Sequence, residues 1–182
     1  ANKIFLKWIK SNNIVAELTR FHPLINNYIS PFFSNDLLNK RKTCSLDLNL
    51  VNPNFDPFKS KAKNMLRNSK NKLTSFISQN ERDFIYFKKI YLDLMKLKNA
   101  NKDNYFSENY FKELFKLIKT NGYLLIISDK KNNKIAGGIF LYSNDKVHYH
   151  ISASDKNFNY VGTMNLLIYD AALLAQKLKI KT

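Results

Sequence analysis

The chain has 182 residues, 45% of them hydrophobic and 14% aromatic, and a formal net charge of +16. This composition excludes an intrinsically disordered chain, and the length fits one domain or two small ones. The longest apolar run, Ile135–Tyr142, is too short to cross a bilayer, and Cys44, as the single cysteine, excludes a disulfide framework and a cysteine-rich zinc site. With no secretory signal in view, the expected location is cytoplasmic.

The basic charge has two explanations. Only four of the 30 basic residues are arginines, and asparagine is almost as frequent as lysine, which is the bias that an AT-rich genome produces. A field of this size nevertheless attracts phosphates, RNA or an anionic membrane surface. Charge alone therefore leaves the partner open.

The N-terminal residues 1–29 begin with an amphipathic stretch that lysines interrupt. Its apolar residues are Ile4, Phe5, Leu6, Trp8 and Ile9. Asn12 and Asn13 predict a turn, and Ile14–Leu18 is a short strand candidate. Pro23 must end that strand, because proline lacks an N–H and disfavours helical geometry in the residue before it.

A basic helix is predicted after a loop-rich stretch in which Thr43–Leu48 alternates like a strand. Phe58–Leu73 has no acidic residue, and its basic residues are Lys59, Lys61, Lys63, Arg67, Lys70 and Lys72. Its apolar stripe at helical spacing consists of Ala62, Met65, Leu66 and Ser69. Such a helix is either a solvated face or a contact for phosphate or nucleic acid.

The remaining chain predicts an α+β fold. A short strand at Leu73–Ser78 precedes a helix at Arg82–Lys98, and Ser107 caps a second helix that stops at Asn121–Gly122. Three strands on short turns follow, at Tyr123–Ser128, Ile135–Tyr142 and Val147–Ser154, then a helix at Met164–Leu178 and an incipient strand at 179–182. This order predicts helices packed on a mixed sheet.

The segment Lys146–Asp170 is the candidate site. A strand there ends in a polar loop, and Gly162 with Thr163 opens an apolar helix. The first N–H groups of a helix lack intrahelical partners, so this junction predicts an anion site. The simpler alternative is that Gly162 only eases a turn.

The order of elements, with a glycine-bearing turn before the last helix, resembles the GNAT acyltransferase fold. The chain resembles more closely the FemABX group, whose members consist of two tandem GNAT-like halves. The strings that carry the resemblance are VAELTRFHPLINN, SKAKNMLRNSK, FKKIYLDLMKLKNANKDNYFSENYF, IAGGIFLY and VHYHISASD with NLLIYDAA. The resemblance implies that residues 1–80 are the remnant of a first half, including the basic helix, and that residues 81–182 form the second half.

The resemblance also implies an activity, namely transfer of an acyl or aminoacyl group to an amine. Family members act on cell-wall (peptidoglycan), polysaccharide or lipid-linked precursors, with aminoacyl-tRNA or acyl-CoA as co-substrate and no bound cofactor. The GNAT pyrophosphate loop has a Gln or Arg, two residues, Gly, one residue, then Gly or Ala. Here Asn159, Gly162 and Met164 occupy those places, which favours aminoacyl-tRNA or a modified binding mode over acetyl-CoA.

Site residues follow from this assignment. The donor-binding candidates are Asn159, Gly162, Thr163 and Asn165, and the acceptor-binding candidates are Arg20, His22, Lys63 and Arg67. Tyr149 or His150 could relay the proton of the amine, although a hydrogen-bonded core histidine explains His150 as well. His148 and His150 have no evident third ligand, so no metal site is predicted.

Two other functions stay open at this stage. The basic helix could make the chain a noncatalytic RNA-binding module, with tRNA as one partner. Alternatively, the chain is an inactive or partial acyltransferase domain. As an enzyme it would act on an anionic, amine-bearing acceptor, with peripheral association to a membrane as a further expectation.

Overall fold

A computed structural model describes residues 2–15, 44–143 and 145–178 of this protein. The chain divides into two compact units between Ser45 and Leu46. In the described part of the first unit the helix is α1 (Asn2–Ser11). Arg20 and His22, and most of the predicted strand Ile14–Leu18, lie outside the described residues.

The second unit is an α+β fold in which helices cover both faces of a four-stranded sheet. Its helices are α2 (Ser60–Lys70), α3 (Glu81–Leu97), α4 (Glu108–Asn121) and α5 (Thr163–Lys177); its strands are β1 (Leu73–Ser78), β2 (Gly122–Asp129), β3 (Lys134–Ser143) and β4 (Lys146–Ser154). The sheet order is β1-β2-β3-β4, with antiparallel pairing at every described contact. The predicted class is confirmed, whereas the described part of the sheet is antiparallel and not mixed.

Strand β2 lies at the centre of the hydrophobic core. All eight of its residues are buried, because side chains that alternate along the strand pack against helices on both faces of the sheet. Leu124 and Ile126 pack with α3 and α4, whereas Leu125 and Ile127 pack with α5 and with Leu66 of α2. The sheet thus separates two helical layers, as the continuous apolar sequence of β2 predicts.

One strand prediction is wrong. Thr43–Leu48 alternates, yet residues 44–47 have no strand geometry and a 3₁₀ helix occupies Leu48–Leu50. The Asp47 side chain accepts a hydrogen bond from the Asn49 N–H at 2.9 Å. That local bond stabilises a helical turn, a competition that apolar alternation does not reveal.

The division into residues 1–80 and 81–182 stays a prediction. In the described residues α2 and β1 belong to the unit that begins at Leu46, and β1 pairs with β2 in the same sheet. The incipient strand at 179–182 lies outside the described residues. Of the helices that the structure describes, none has both the length and the apolarity needed to cross a bilayer.

Candidate functional site

The candidate site lies where β4 passes into α5. Strand β4 ends at Ser154, and the Asp155 carboxylate then accepts hydrogen bonds from the N–H and the side-chain amide of Asn157, both at 2.9 Å. This is an Asx turn, which fixes the direction of the loop. The Asp155 N–H also donates to Ile135 O at 2.7 Å, so the loop is attached to β3.

Gly162 occupies a position that only glycine fits well. Its φ is 86°, in the left-handed region, and it immediately precedes the first residue of α5. A Cβ at this position would lie 2.5 Å from Ser69 Oγ and 2.8 Å from Met65 O on α2. Both the backbone conformation and the close approach of α2 therefore require glycine.

Helix α2 supports the loop through a buried serine. Ser69 Oγ lies 2.7 Å from Met65 O in its own helix and 3.0 Å from Val161 O in the loop. Asn165 of α5 donates to Met65 Sδ at 3.2 Å. The basic helix and the start of α5 are therefore joined at the candidate site.

A cavity of about 260 Å³ opens at the N-terminus of α5. Its lining consists of Met65, Ile135, Ser154, Phe158, Asn159, Tyr160, Gly162, Thr163, Met164 and Asn165. No side chain caps this end of α5, and its first turn has no acidic residue. The partial positive charge of the helix N-terminus therefore faces the cavity without a carboxylate of the first turn to offset it.

The four predicted donor-binding residues, Asn159, Gly162, Thr163 and Asn165, all line this cavity. Thr163 is buried, and its hydroxyl donates to Tyr160 O at 2.8 Å. Thr163 therefore holds the loop, and the backbone N–H groups of the first turn are what the cavity offers to an anion. Binding of a donor by these residues stays a prediction.

Strand β4 contains a bulge at His150. Ile151 pairs with Ile139 and Tyr149 pairs with Phe140, which leaves His150 as the extra residue between them. The Tyr149 ring lies against Phe140, with centroids 5.3 Å apart, whereas the His150 Nε2 contacts the Tyr110 hydroxyl of α4. Adjacent strand residues lie on opposite faces in any case; the effect of the bulge is that His150 lies on the same face as Ile151, toward α4.

The environment of His150 favours its neutral form. Burial, together with the positive charge that His148 can carry, lowers the pKa of His150 below its ordinary value. A neutral imidazole can accept a proton, but its Nε2 is engaged by Tyr110. Neither His150 nor Tyr149 lines the cavity at α5, so their catalytic roles stay predictions.

Within the described residues, His148 and His150 belong to no group of metal ligands. The rings of His148 and His150 have centroids 5.8 Å apart. Across the described ranges, no three His, Cys, Asp or Glu side chains group closely enough to hold a metal ion.

A second cavity, of about 180 Å³, lies between α3 and the loop after β4. Ser154 lines both cavities, so the end of β4 separates them. Charged residues of both signs line the second one: Lys89, Asp93, Asp155 and Lys156. The hydrogen bond from the Lys89 ammonium holds the pKa of Asp93 below its ordinary value, so the carboxylate is ionised and already paired with a cation.

The predicted acceptor-binding residues on α2 have local partners. The Lys63 ammonium pairs with the Asp56 carboxylate, and Arg67 donates to Asn64 Oδ1 at 3.0 Å. Neither lines the cavity at α5. Arg20 and His22 lie outside the described residues, so their part in a site stays a prediction.

Six residues that line the cavity were not among the predicted site residues: Met65, Ile135, Ser154, Phe158, Tyr160 and Met164. Met65 was predicted as part of the apolar stripe of α2, and nothing in its pattern indicates the approach of α5, which is 100 residues away in the chain. Ser154 had a signal, because it ends the alternating strand directly before the candidate loop.

No protein-family model matches the chain, and no curated protein matches it either.

Proposed function

We propose that this protein is an N-acyltransferase of the FemABX type, which transfers an acyl or aminoacyl group to an amine. The observation that carries the proposal is the uncapped N-terminus of α5 at the edge of a cavity, reached through the left-handed Gly162. The order of the secondary-structure elements also supports the proposal, because the resemblance to the FemABX group rests on it. That order is β1, α3, α4, β2, β3, β4, α5.

The donor binds with its phosphates at the N-terminus of α5. The backbone N–H groups there are aligned with the helix dipole, which favours an anion without any charged side chain. Both candidate donors, acyl-CoA and aminoacyl-tRNA, carry phosphates. The loop departs from the GNAT pattern at Asn159 and Met164, and α2, joined to α5 through Met65, is basic; these two features favour aminoacyl-tRNA.

The acceptor amine approaches from the second cavity, across the end of β4 at Ser154. Asp93 and Asp155 accept hydrogen bonds from the ammonium form of the amine, while Lys89 and Lys156 balance their charge, so the cavity has no net field that attracts a cation. After the amine loses a proton, its nitrogen attacks the ester or thioester carbonyl carbon. The tetrahedral intermediate then expels the alkoxide or thiolate as the C–O or C–S bond breaks, and the proton that the attached nitrogen gives up is taken up by the leaving group.

Backbone N–H groups at the end of β4, near Ser154, stabilise the oxyanion of that intermediate. Strand β4 is the edge of the described part of the sheet, so one side of it has no ladder partner there. His150, which is neutral at physiological pH, lies four residues before Ser154 on β4 and lines neither cavity, so it receives the proton of the amine through bridging water.

The second candidate function is noncatalytic RNA binding through α2. The observation in its favour is that the exposed charged side chains of the segment 59–72 are all basic: Lys59, Lys61, Arg67, Lys70 and Lys72. Such a face binds phosphodiester backbones in a salt-dependent way. It is also the face that a tRNA donor of the enzyme would use.

An isosteric variant tests the donor site. Asn165→Asp places a negative charge in the first turn of α5, where it repels a phosphate and competes for the same N–H groups. We expect transfer from radiolabelled acyl-CoA or aminoacyl-tRNA to amino sugars or lysine peptides to fall by about tenfold or more. Thermal unfolding should change little, because the favourable charge of an acidic residue at a helix N-terminus offsets the lost hydrogen bond to Met65 Sδ.

Asn109→Asp is the matched control, since it makes the same change in the first turn of α4 and should leave transfer intact. If neither donor supports transfer to any acceptor, and tRNA binding disappears in Lys61→Glu/Lys72→Glu, the protein is an RNA-binding module. Failure to transfer from and to bind either donor would refute both candidate functions.

A further inference from the structure

We propose that helix α1 is a membrane-surface helix that binds anionic lipid, lying in the bilayer interface with its apolar side toward the acyl chains. The proposal rests on α1 alone and is independent of acyl transfer. It assigns a partner of stated chemistry, an anionic bilayer surface, to a part of the chain that the proposed catalytic site does not use.

The apolar residues of α1 are exposed. Ile4 is 74% exposed and Trp8 54%, and Phe5 and Leu6 are likewise exposed. With 3.6 residues per turn, these four and Ile9 occupy one side of the helix. The Phe5 and Trp8 rings stack at a centroid distance of 6.2 Å, forming one continuous aromatic surface.

The opposite side of α1 is basic. Lys3, Lys7 and Lys10 occupy it, and the sequence of the helix, NKIFLKWIKS, contains no acidic residue. Lysines on one side with Trp, Phe and Leu on the other are typical of helices that lie in a membrane interface. The charge is complementary to anionic headgroups. Each lysine near the surface should raise the partition coefficient onto an anionic bilayer by about fivefold.

Helix α1 ends in a Schellman motif formed by its own residues. Asn13 has a φ of 54°, its N–H donates to Lys10 O at 3.3 Å, and the Ile14 N–H donates to Ile9 O at 3.1 Å. The end of the helix is thus specified locally. A helix of only 10 residues is nevertheless marginal in water, so a surface that covers its apolar side would stabilise it.

A second copy of the chain fits this face less well than a bilayer does. A 10-residue helix is about 15 Å long and about 10 Å wide, far smaller than the roughly 800 Å² per partner of a stable interface. A bilayer imposes no such limit and supplies the opposite charge.

The test uses the intrinsic fluorescence of Trp8, the only tryptophan in the sequence. The full chain is titrated with phosphatidylglycerol vesicles and with phosphatidylcholine vesicles, and binding is measured by co-sedimentation in parallel. We expect a blue shift of the Trp8 emission and co-sedimentation with the anionic vesicles, both much weaker with the zwitterionic ones.

Two variants separate the charged side from the apolar side. Replacing Lys3, Lys7 and Lys10 by Gln should weaken partitioning on the order of 100-fold, from about fivefold per lysine. Ile4→Ser/Phe5→Ser keeps the charge and the fluorophore and should abolish the blue shift. The matched control replaces Lys112, Lys116 and Lys119 of α4 by Gln, which removes equal charge elsewhere and should change partitioning less than the α1 variant does.

Three outcomes would overturn the proposal. One is an emission spectrum that vesicles leave unchanged. Another is an equal loss of partitioning in the α1 and α4 lysine variants, which would mean that net charge alone causes binding. The third is a blue shift that grows with protein concentration in the absence of lipid, because α1 would then bind a second copy.

Discussion

At the scale of single residues, Gly162 illustrates how a side chain that is absent shapes the site. Its positive φ starts α5 directly after the loop, and the missing Cβ leaves room for Ser69 and Met65 of α2. The conformation was predictable from a glycine before a helix. The contact with α2 could not be predicted, because no local sequence pattern indicates it.

Gly162→Ala should destabilise the protein. The left-handed conformation costs an L-residue about 1–2 kcal/mol, and the new Cβ would have to displace the Met65 carbonyl. We expect the melting temperature to fall by about 3–8 °C. Val161→Ala, at the exposed neighbouring position, is the control and should remain within about 0.5 kcal/mol of the parent. An unchanged melting temperature for Gly162→Ala would contradict the close approach of α2.

For Gly122, the sequence predicts the end of α4 at the right position but for the wrong reason. The sequence Asn121–Gly122 predicts a helix stop, and α4 does end at Asn121. Gly122, however, has a φ of −173° and is the first residue of β2, in extended geometry. A Cβ there would lie 2.6 Å from Phe140 O, so close strand packing explains the glycine.

At the scale of elements, caps determine where helices begin. Asn80 precedes α3 and Ser107 precedes α4, and each side chain accepts a hydrogen bond from the N–H three residues later, Asp83 at 2.8 Å and Tyr110 at 3.2 Å. Capping is a local interaction, so the start of α4 could be predicted from Ser107 alone. The β4 bulge could not be predicted, because a strand with one extra residue still alternates on both sides of it.

Removal of the N-cap of α4 should lower the free energy of unfolding moderately. Ser107→Ala deletes the side-chain acceptor for the Tyr110 N–H at an exposed position, so about 1 kcal/mol of stability should be lost, as chemical denaturation would measure. Ser107→Asp keeps an acceptor and should match the parent. Equal destabilisation by both substitutions would mean that capping is not the role of Ser107.

At the scale of the whole molecule, one ion pair joins two layers of the fold. Asp83 of α3, which is buried, pairs with the Lys134 ammonium at the start of β3. Burial by itself would raise the pKa of Asp83, but the Lys134 ammonium and the hydroxyl of Ser78 outweigh it and hold the pKa below its ordinary value. The carboxylate is therefore ionised in the folded protein at neutral pH.

Asp83→Asn should lower stability in a pH-dependent way. Because the folded pKa is depressed, the carboxylate stabilises the protein above its unfolded pKa of about 3.9, and this contribution is lost as pH falls through the folded pKa. We expect a loss of about 1–3 kcal/mol in urea unfolding at pH 6, and a smaller difference from the parent at pH 3.

Glu113→Gln is the control, since Glu113 pairs with Lys116 on the exposed surface of α4 and should cost at most about 0.5 kcal/mol. A difference between Asp83→Asn and the parent that is the same at both pH values would show that the charge of Asp83 does not stabilise the fold.

The sequence by itself determined the α+β class, the positions of the helices and strands within three residues from 58 to 178, and the strand–glycine–helix junction. Periodicity, caps and glycine act over a few residues, so a single sequence displays them. Tertiary structure decided that Met65 of α2 lines the cavity of α5 and that the end of β4 lies between two cavities. It also decided that the Lys134 ammonium pairs with the Asp83 carboxylate. These relations join residues far apart in the chain, and they depend on strand register and on helix packing, which no local pattern encodes.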